Sequence, residues 1–278
     1  MTSEFSIAID IGNSRIKIGR FTHGEGSLPE CCESHVFLLS DESGWATAVG
    51  RLAEESHPRA GVIAGSNHTG IEAFLKSWPA AWPQPIEIRS SEHFPLEINV
   101  DEPRRVGLDR LLNSVAVNRL RDDRPADDRP AVIVDCGTAT TVDCVSASGA
   151  FEGGAILPGF GLSARALNEY TDALPLVSFE ELASQAAATE TLGPAAFGKN
   201  TRAAIQSGIF WGQIGAIREL VERMTAGGSC SPQLFLTGGG SSTLAPFLPD
   251  AVHCPFLPLQ GMLLVAKQVG ASRNPRRS

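Results

Sequence analysis

Two stretches of this chain read as copies of one another, and a chain that carries a unit twice has few architectures open to it. The first is Ser6-Ile7-Ala8-Ile9-Asp10-Ile11-Gly12-Asn13-Ser14-Arg15-Ile16-Lys17-Ile18-Gly19, the second Val132-Ile133-Val134-Asp135-Cys136-Gly137-Thr138-Ala139-Thr140-Thr141-Val142-Asp143. Asp10 aligns with Asp135, and Gly12 with Gly137 at the same spacing of 125 positions (135 − 10, 137 − 12). In each copy an apolar, β-branched run ends at an Asp, a Gly turn with small polar residues follows, and a second strand runs back.

The turn chemistry suits an anion. Gly12 and Gly137 let the backbone bend and approach a ligand closely. Asn13, Ser14, Thr138 and Thr140 add donors beside the exposed N–H groups, as a phosphate nest requires. Asp10 and Asp135 close their strands where a carboxylate can hold a metal ion or its waters. Lys17 reads either as a phosphate ligand or as a solvated strand lysine. One D-x-G-[NT] is an ordinary turn more often than a phosphate site; two copies at the start of two similar halves say more. A third Gly-rich turn, Leu236-Thr237-Gly238-Gly239-Gly240, follows the apolar run Gln233-Leu234-Phe235. The trio resembles the two phosphate motifs and the adenosine motif of the actin–sugar kinase–Hsp70 superfamily. That resemblance implies an α/β chain of two RNase H-like domains with duplicated sheet and helix topology, and nucleotide in a cleft between them.

Composition fits such a pair. A chain of 278 residues, 42% hydrophobic and 19% charged, is long enough for two ordinary domains with real cores. The net charge of −8 argues against a general nucleic-acid or membrane-surface binder. No apolar run approaches the roughly 18 residues of a membrane span. Met1-Thr2-Ser3-Glu4 lacks the basic start and apolar block of a signal peptide. The six cysteines (31, 32, 136, 144, 230, 254) form no C-x-x-C pair, which points to reduced, mostly buried thiols in a cytoplasmic protein. The six histidines form no motif.

Periodicity places a strand over Arg15 to Phe21, a loop over 22–35, and a helix from Trp45 to Ser56. A buried strand over 61–66, a helix from Ile71 to Trp78 stopped by Pro79, and a strand over 86–88 follow. Pro103 to Leu120 holds a helix with Leu111, Leu112, Val115 and Ala116 on its buried face. The charged, Pro-containing stretch 119–130 is the expected connection, giving domains of 1–120 and 131–278. In the second, 149–159 is a hairpin running into a Gly-Pro loop, and helices are expected over 162–170, 179–185, 201–224, 244–249 and 261–269. Residues 272–278 read as a frayed tail.

Four further motifs occur in order: Val106-Gly107-Leu108-Asp109-Arg110, Asp135 to Asp143, Gly153-Gly154-Ala155-Ile156-Leu157-Pro158-Gly159 and Gly198-Lys199-Asn200-Thr201. With Asp10-Ile11-Gly12-Asn13 they make nearly the whole chain resemble type III pantothenate kinase, the G-x-D-R and D-x-G-T-A-x-T-x-D pair being the most specific part. The resemblance implies ATP-dependent phosphorylation of pantothenate to 4′-phosphopantothenate, the first step of coenzyme A synthesis. Asp10, Ile11, Gly12, Asn13, Ser14, Arg15, Ile16 and Lys17 would cradle the ATP phosphates, with Asp10 near Mg²⁺, and Thr138 would touch ATP. Asp109 would accept the proton of the primary hydroxyl. Gly107, Leu108, Asp109 and Arg110 would contact pantothenate, and Thr201 would complete its site. Asp135 would coordinate a monovalent cation, K⁺ or NH₄⁺. The family is homodimeric, with the pantothenate pocket near the subunit interface. One position departs: the family often has a Tyr seven residues before the G-x-D-R glycine, where Val100 stands here and removes that contact.

Each site has a plainer reading. Asp109 could be a helix-start acid favoured by the macrodipole, and Thr201 a helix N-cap. Gly153, Gly154 and Gly159 read as structural turns, and Asp143 as a residue closing the second hairpin. Two other functions stay in view: a superfamily kinase or phosphatase for another small alcohol or acid, and a non-catalytic relative that binds nucleotide or a protein partner. Intact Asp10, Asp109 and Asp135 speak against the last. A dinucleotide-binding G-x-G-x-x-G after an early strand and a G-x-x-x-x-G-K-[ST] loop are both missing from the sequence.

Overall fold

The computed structural model describes residues 5–24, 28–55, 57–92, 94–122, 128–188, 193–226 and 231–273. It divides into two units, Met1–Asp127 with Phe256–Ser278, and Asp128–Pro255.

The first unit runs β1 (Phe5–Ile11), β2 (Arg15–Thr22), β3 (Glu30–Leu38), α1 (Glu42–Glu55), β4 (Ala60–Ala64), α2 (His68–Lys76) and β5 (Ile86–Glu87), then a 3-10 turn (Pro103–Arg105) and α3 (Leu108–Asp122). Its sheet has the order β3-β2-β1-β4-β5, with β1 antiparallel to β2 and parallel to β4. Alternation in β1 sends Phe5, Ile7, Ile9 and Ile11 to one face, where they meet Trp45, Val49 and Leu52 of α1 and Ile71 and Phe74 of α2. Each such side chain taken fully out of water is worth about 1.5–3 kcal/mol.

The second unit repeats the plan: β6 (Ala131–Cys136), β7 (Ala139–Val145), β8 (Phe151–Pro158), helices α4 (Phe160–Glu169), α5 (Phe179–Ala188) and α6 (Thr201–Thr225), then β9 (Gln233–Thr237), α7 (Ser241–Leu244) and β10 (Ala251–His253). Its sheet order, β10-β9-β6-β7-β8, is that of the first sheet read from the other edge, strand for strand. Val132, Val134, Cys136, Val142 and Leu236 pack against Phe160, Ile209, Phe210 and Ile214 of the helical layer. These are the two RNase H-like halves that the repeated motif implied.

Two elements depart from the sequence reading. Residues 30–38, placed within or next to a loop, form β3, whose side chains alternate strictly between exposed and half-buried at the sheet edge. Its Glu, Cys, Ser and His residues hid the pattern. The last helix, α8 (Leu257–Arg273), belongs to the first unit, although the sequence grouped 131–278 as one domain. It packs on α3, β1 and β4. Small residues admit it: a Cβ on Gly261 would stand 2.1 Å from the Leu112 carbonyl oxygen, and one on Gly19 would stand 3.1 Å from Leu259. The connection between halves is shorter than expected, since α3 continues to Asp122; positions 123–127 of it, and 274–278 of the tail, lie outside the described residues. The described cysteines are free thiols, but only Cys136 is buried where most were expected to be: Cys32 is exposed and Cys31, Cys144 and Cys254 are half-buried, and burial raises the thiol pKa of Cys136, Cys144 and Cys254. No helix among the described residues is long and apolar enough to cross a membrane.

Candidate active site

In the first unit the hairpin turn sits at the carboxyl end of β1. Ile11 pairs with Ile16 as the last rung, and the Gly12 N–H donates to the Arg15 carbonyl at 3.0 Å. Both isoleucine side chains are fully buried, so only their backbone can face a ligand. Asn13, Ser14 and Arg15 are exposed at the tip. Asp10 and Lys17 are cross-strand partners, and Lys17 Nζ lies 3.4 Å from Asp10 Oδ2. Lys17 therefore stands on the same face of the sheet as the carboxylate.

Asp109 lies in the first turn of α3 and is exposed, with Oδ1 accepting the Arg110 N–H at 2.9 Å. A Cβ on Gly107 would come within 2.6 Å of that oxygen, so the glycine of the G-x-D-R motif leaves room for the carboxylate. Leu108, Arg110 and Val100 are half-buried. Asp109 and Asp10 are also within electrical reach. Burial pushes the Asp10 carboxyl above its ordinary pKa, the Lys17 ammonium pulls it down, and the charge of Asp109 pushes it up again.

A stability prediction follows from that raised pKa. Its contribution is fully present below the unfolded carboxylate value near 4 and is lost as pH rises through the folded one. Ionised Asp10 therefore costs stability at neutral pH, and Asp10→Asn is expected to melt above wild type at pH 8, with the gap closing towards pH 4. Thermal unfolding across that range checks it; a lower melting temperature for the variant at pH 8 would refute it.

In the second unit Asp135 pairs with Thr141 and Cys136 with Thr140, and the Gly137 N–H donates to the Ala139 carbonyl at 3.1 Å. Only residues 137–139 lie outside this ladder, against 12–15 in the first. The second turn is thus one residue shorter, and the counterpart of Lys17 is Thr141. Thr138 is exposed at the tip. Thr140, expected among the turn donors, is instead a buried residue of β7. Asp143, taken as a closing residue, is a buried carboxylate within β7 that accepts the Thr141 hydroxyl at 3.0 Å. Thr201 is exposed and opens α6, but the N-cap is Asn200, whose Oδ1 accepts the Ala203 N–H at 2.9 Å.

The sequence reading missed how the duplicated design braces both hairpins. β4 is followed by Gly65-Ser66-Asn67 and β9 by Gly238-Gly239-Gly240. A Cβ on Gly65 would stand 2.0 Å from the Ile11 carbonyl oxygen; one on Gly238 would stand 2.4 Å from Asp135 Oδ1 and 2.6 Å from the Cys136 nitrogen. Two residues on in each case, the Asn67 N–H donates to the Ile11 carbonyl at 3.3 Å and the Gly240 N–H to the Cys136 carbonyl at 2.9 Å. From the other side, Leu39 N–H donates to Ser14 O at 3.0 Å and Gly159 N–H to Thr138 O at 3.1 Å. The available signal was a Gly directly after each apolar strand.

Among the described residues no group of three or more His, Cys, Asp or Glu side chains could by itself hold a metal ion.

Comparison with known proteins gives a consistent answer. The family model described as type III pantothenate kinase matches residues 6–223. A Dehalococcoides mccartyi protein named type III pantothenate kinase is 32% identical over 274 residues, covering 95% of this chain and 97% of its own. One of that name from Moorella thermoacetica is 31% identical over 274 residues, covering 93% and 97%. Among solved structures, a Campylobacter jejuni protein titled a Baf family transcriptional activator superposes with TM-score 0.57 at 18% identity, covering 97% and 98% of the two chains. The activator of 2-hydroxyisocaproyl-CoA dehydratase from Clostridium difficile, with ADPNP bound, gives 0.54 at 11% identity, covering 99% and 98%. At those identities the two structures show the fold alone.

Proposed function

The chain belongs to the type III pantothenate kinase family, and on that footing we propose that it transfers the γ-phosphoryl group of ATP to the primary hydroxyl of pantothenate, giving 4′-phosphopantothenate at the start of coenzyme A synthesis. The observation that supports this reading best is the grouping of Asp10, Lys17 and Asp109 in one unit, with Lys17 and Asp109 both within electrical reach of Asp10. Phosphoryl transfer asks a protein for charge neutralisation and in-line placement rather than for covalent chemistry. A phosphate hairpin with a lysine and a separate exposed carboxylate are the parts for that.

In this reading the hairpin from Asp10 to Lys17 binds the ATP phosphates through its turn backbone, Asn13, Ser14, Arg15 and the Lys17 ammonium, and Thr138 binds ATP from the second hairpin. Asp109 holds the pantothenate hydroxyl and takes its proton at a carboxylate oxygen. Arg110 orients the substrate with Gly107 and Leu108, Val100 gives its pocket an apolar wall, and Thr201 adds a hydroxyl. Asp10 fits a divalent ion: burial raises its proton affinity, and a cation would offset the same cost. Mg²⁺ bound there supplies positive charge to the phosphates. Asp135 fits a larger monovalent cation, because its Oδ1 sits over Gly238, where a Cβ would intrude at 2.4 Å. K⁺ or NH₄⁺ bound there supplies a second, exchangeable positive charge. A homodimer and a cytoplasmic setting belong to the same proposal.

The test is turnover of purified protein with ATP, Mg²⁺ and pantothenate, with K⁺ present or replaced by tetramethylammonium, beside a panel of other small alcohols and acids. Cation-dependent phosphorylation of pantothenate in preference to the panel is the expected result. ATP binding without pantothenate turnover would instead favour the non-catalytic reading, and turnover of a panel member alone a different kinase.

A further inference from the structure

The two hairpins carry their aspartates in matching positions with different neighbours. Asp10 is flanked by Lys17 on β2 and Ala64 on β4; Asp135 is flanked by Thr141 on β7 and Thr237 on β9. The first copy thus has a built-in ammonium beside its carboxylate. The second has no cationic side chain at the equivalent position but a hydroxyl on each side. Those hydroxyls are not equivalent. Thr141 Oγ1 is committed to Asp143 Oδ2 at 3.0 Å. Thr237 is fully buried, and its Oγ1 has no hydrogen-bond partner among the described residues.

A buried hydroxyl without a partner is costly, by about 1–3 kcal/mol in protein mutational data. Valine has nearly the same shape and would avoid that cost. Paired residues of parallel strands put their side chains on the same face of the sheet. Thr237 therefore shares a face with Asp135, beside it, and still makes no hydrogen bond to it. An ion bridging the carboxylate and the hydroxyl uses both groups and requires no direct bond between them.

We propose that Thr237 is a second protein ligand of the monovalent cation at Asp135, and that this ion occupies in the second hairpin the electrostatic place that the Lys17 ammonium fills in the first. The inference rests on the reading of Asp135 as a cation ligand, and the experiment separates the two. Melting temperatures of wild type, Thr237→Val, Thr237→Ser and Asp135→Asn are measured against KCl at constant ionic strength, with tetramethylammonium chloride as the balancing salt. Without K⁺, Thr237→Val is expected to melt at or above wild type, because it loses only an unpaired hydroxyl. With K⁺, its midpoint concentration should rise roughly tenfold or more, the scale seen when a supporting group of a metal site is removed. Thr237→Ser should restore the wild-type response.

A Thr237→Val protein that answers K⁺ as wild type does, while Asp135→Asn does not, overturns the role of Thr237 and leaves Asp135 standing; the hydroxyl then serves a buried water. A K⁺ response that survives in Asp135→Asn removes the cation site itself. Destabilisation of Thr237→Val in the K⁺-free salt also refutes the proposal, since the hydroxyl would then have a structural partner.

Discussion

Asp109→Asn is expected to lower kcat for pantothenate phosphorylation by about two to four orders of magnitude, the usual contribution of a general base. ATP affinity and melting temperature should change little. The carboxylate is exposed, it accepts the neighbouring Arg110 N–H, and an Asn oxygen can accept that bond equally well. What Asn cannot do is take the proton of the substrate hydroxyl. Phosphoryl transfer passes through a loose transition state in which the attacking oxygen keeps its proton until late. That places the loss towards the lower end of the range rather than the upper. Single-turnover kinetics with ATP binding measured separately would decide it. A kcat within a few-fold of wild type would move Asp109 back to being a helix-start acid with no part in the chemistry.

Gly238→Ala is expected to cost about 2–4 kcal/mol, combining a non-glycine residue at positive φ with an overpacked contact. The glycine has φ of 90°, and the added methyl would stand 2.4 Å from Asp135 Oδ1 and 2.6 Å from the Cys136 nitrogen. Neither neighbour can withdraw cheaply: one is the carboxylate of the second hairpin, the other its backbone. The melting temperature should fall by several degrees, at roughly 2–4 °C per kcal/mol for a chain of 150–250 residues. The response to K⁺ should fall with it. Gly208 in α6 is the control, because a Cβ there meets nothing within 4 Å. Gly208→Ala should gain about 0.5–1 kcal/mol through helix propensity and a less flexible unfolded chain. If both variants moved stability in the same direction, the crowding at Gly238 would not be what demands a glycine there.

The duplicated fold was legible because its hairpins need particular residues: an Asp to end the strand and a Gly to turn it. Those constraints are local, and the sheets formed where they pointed. The helix of Asp109 was legible for the same reason, with Leu111, Leu112, Val115 and Ala116 buried as its spacing required. What escaped the sequence depends on distant partners. Edge strand β3 buries only half of every other residue, so Glu30 to Leu38 shows no apolar stripe. Lys17 could be placed beside Asp10 only through the strand register, and the second hairpin, one residue shorter, gave that position to a threonine. Gly65 and Asn67 are ordinary loop residues until β4 lies beside β1. Thr237 looks like any residue before a glycine run; its meaning comes from a neighbouring strand about a hundred positions earlier. Helix α8 is apolar on most sides, with Leu257, Leu259, Met262, Leu263 and Val265 all buried, which predicts burial without naming the partner.

The return of α8 to the first unit has a consequence for the order of synthesis. A ribosome delivers β1 to α3 first, then the entire second unit, and only then the helix that packs on α3, β1 and β4. The second sheet can be complete on the nascent chain while the first still lacks its covering layer, so the half that carries Asp10, Lys17 and Asp109 is the half finished last. Until Phe256 and the residues after it emerge, α3 lacks the helix that meets it at Leu112, where Gly261 lets the two backbones approach. Completion of the first unit is thereby tied to the synthesis of α8, and a nascent chain stalled before it holds the Asp10–Lys17 hairpin while the helix that packs behind it is still inside the ribosome.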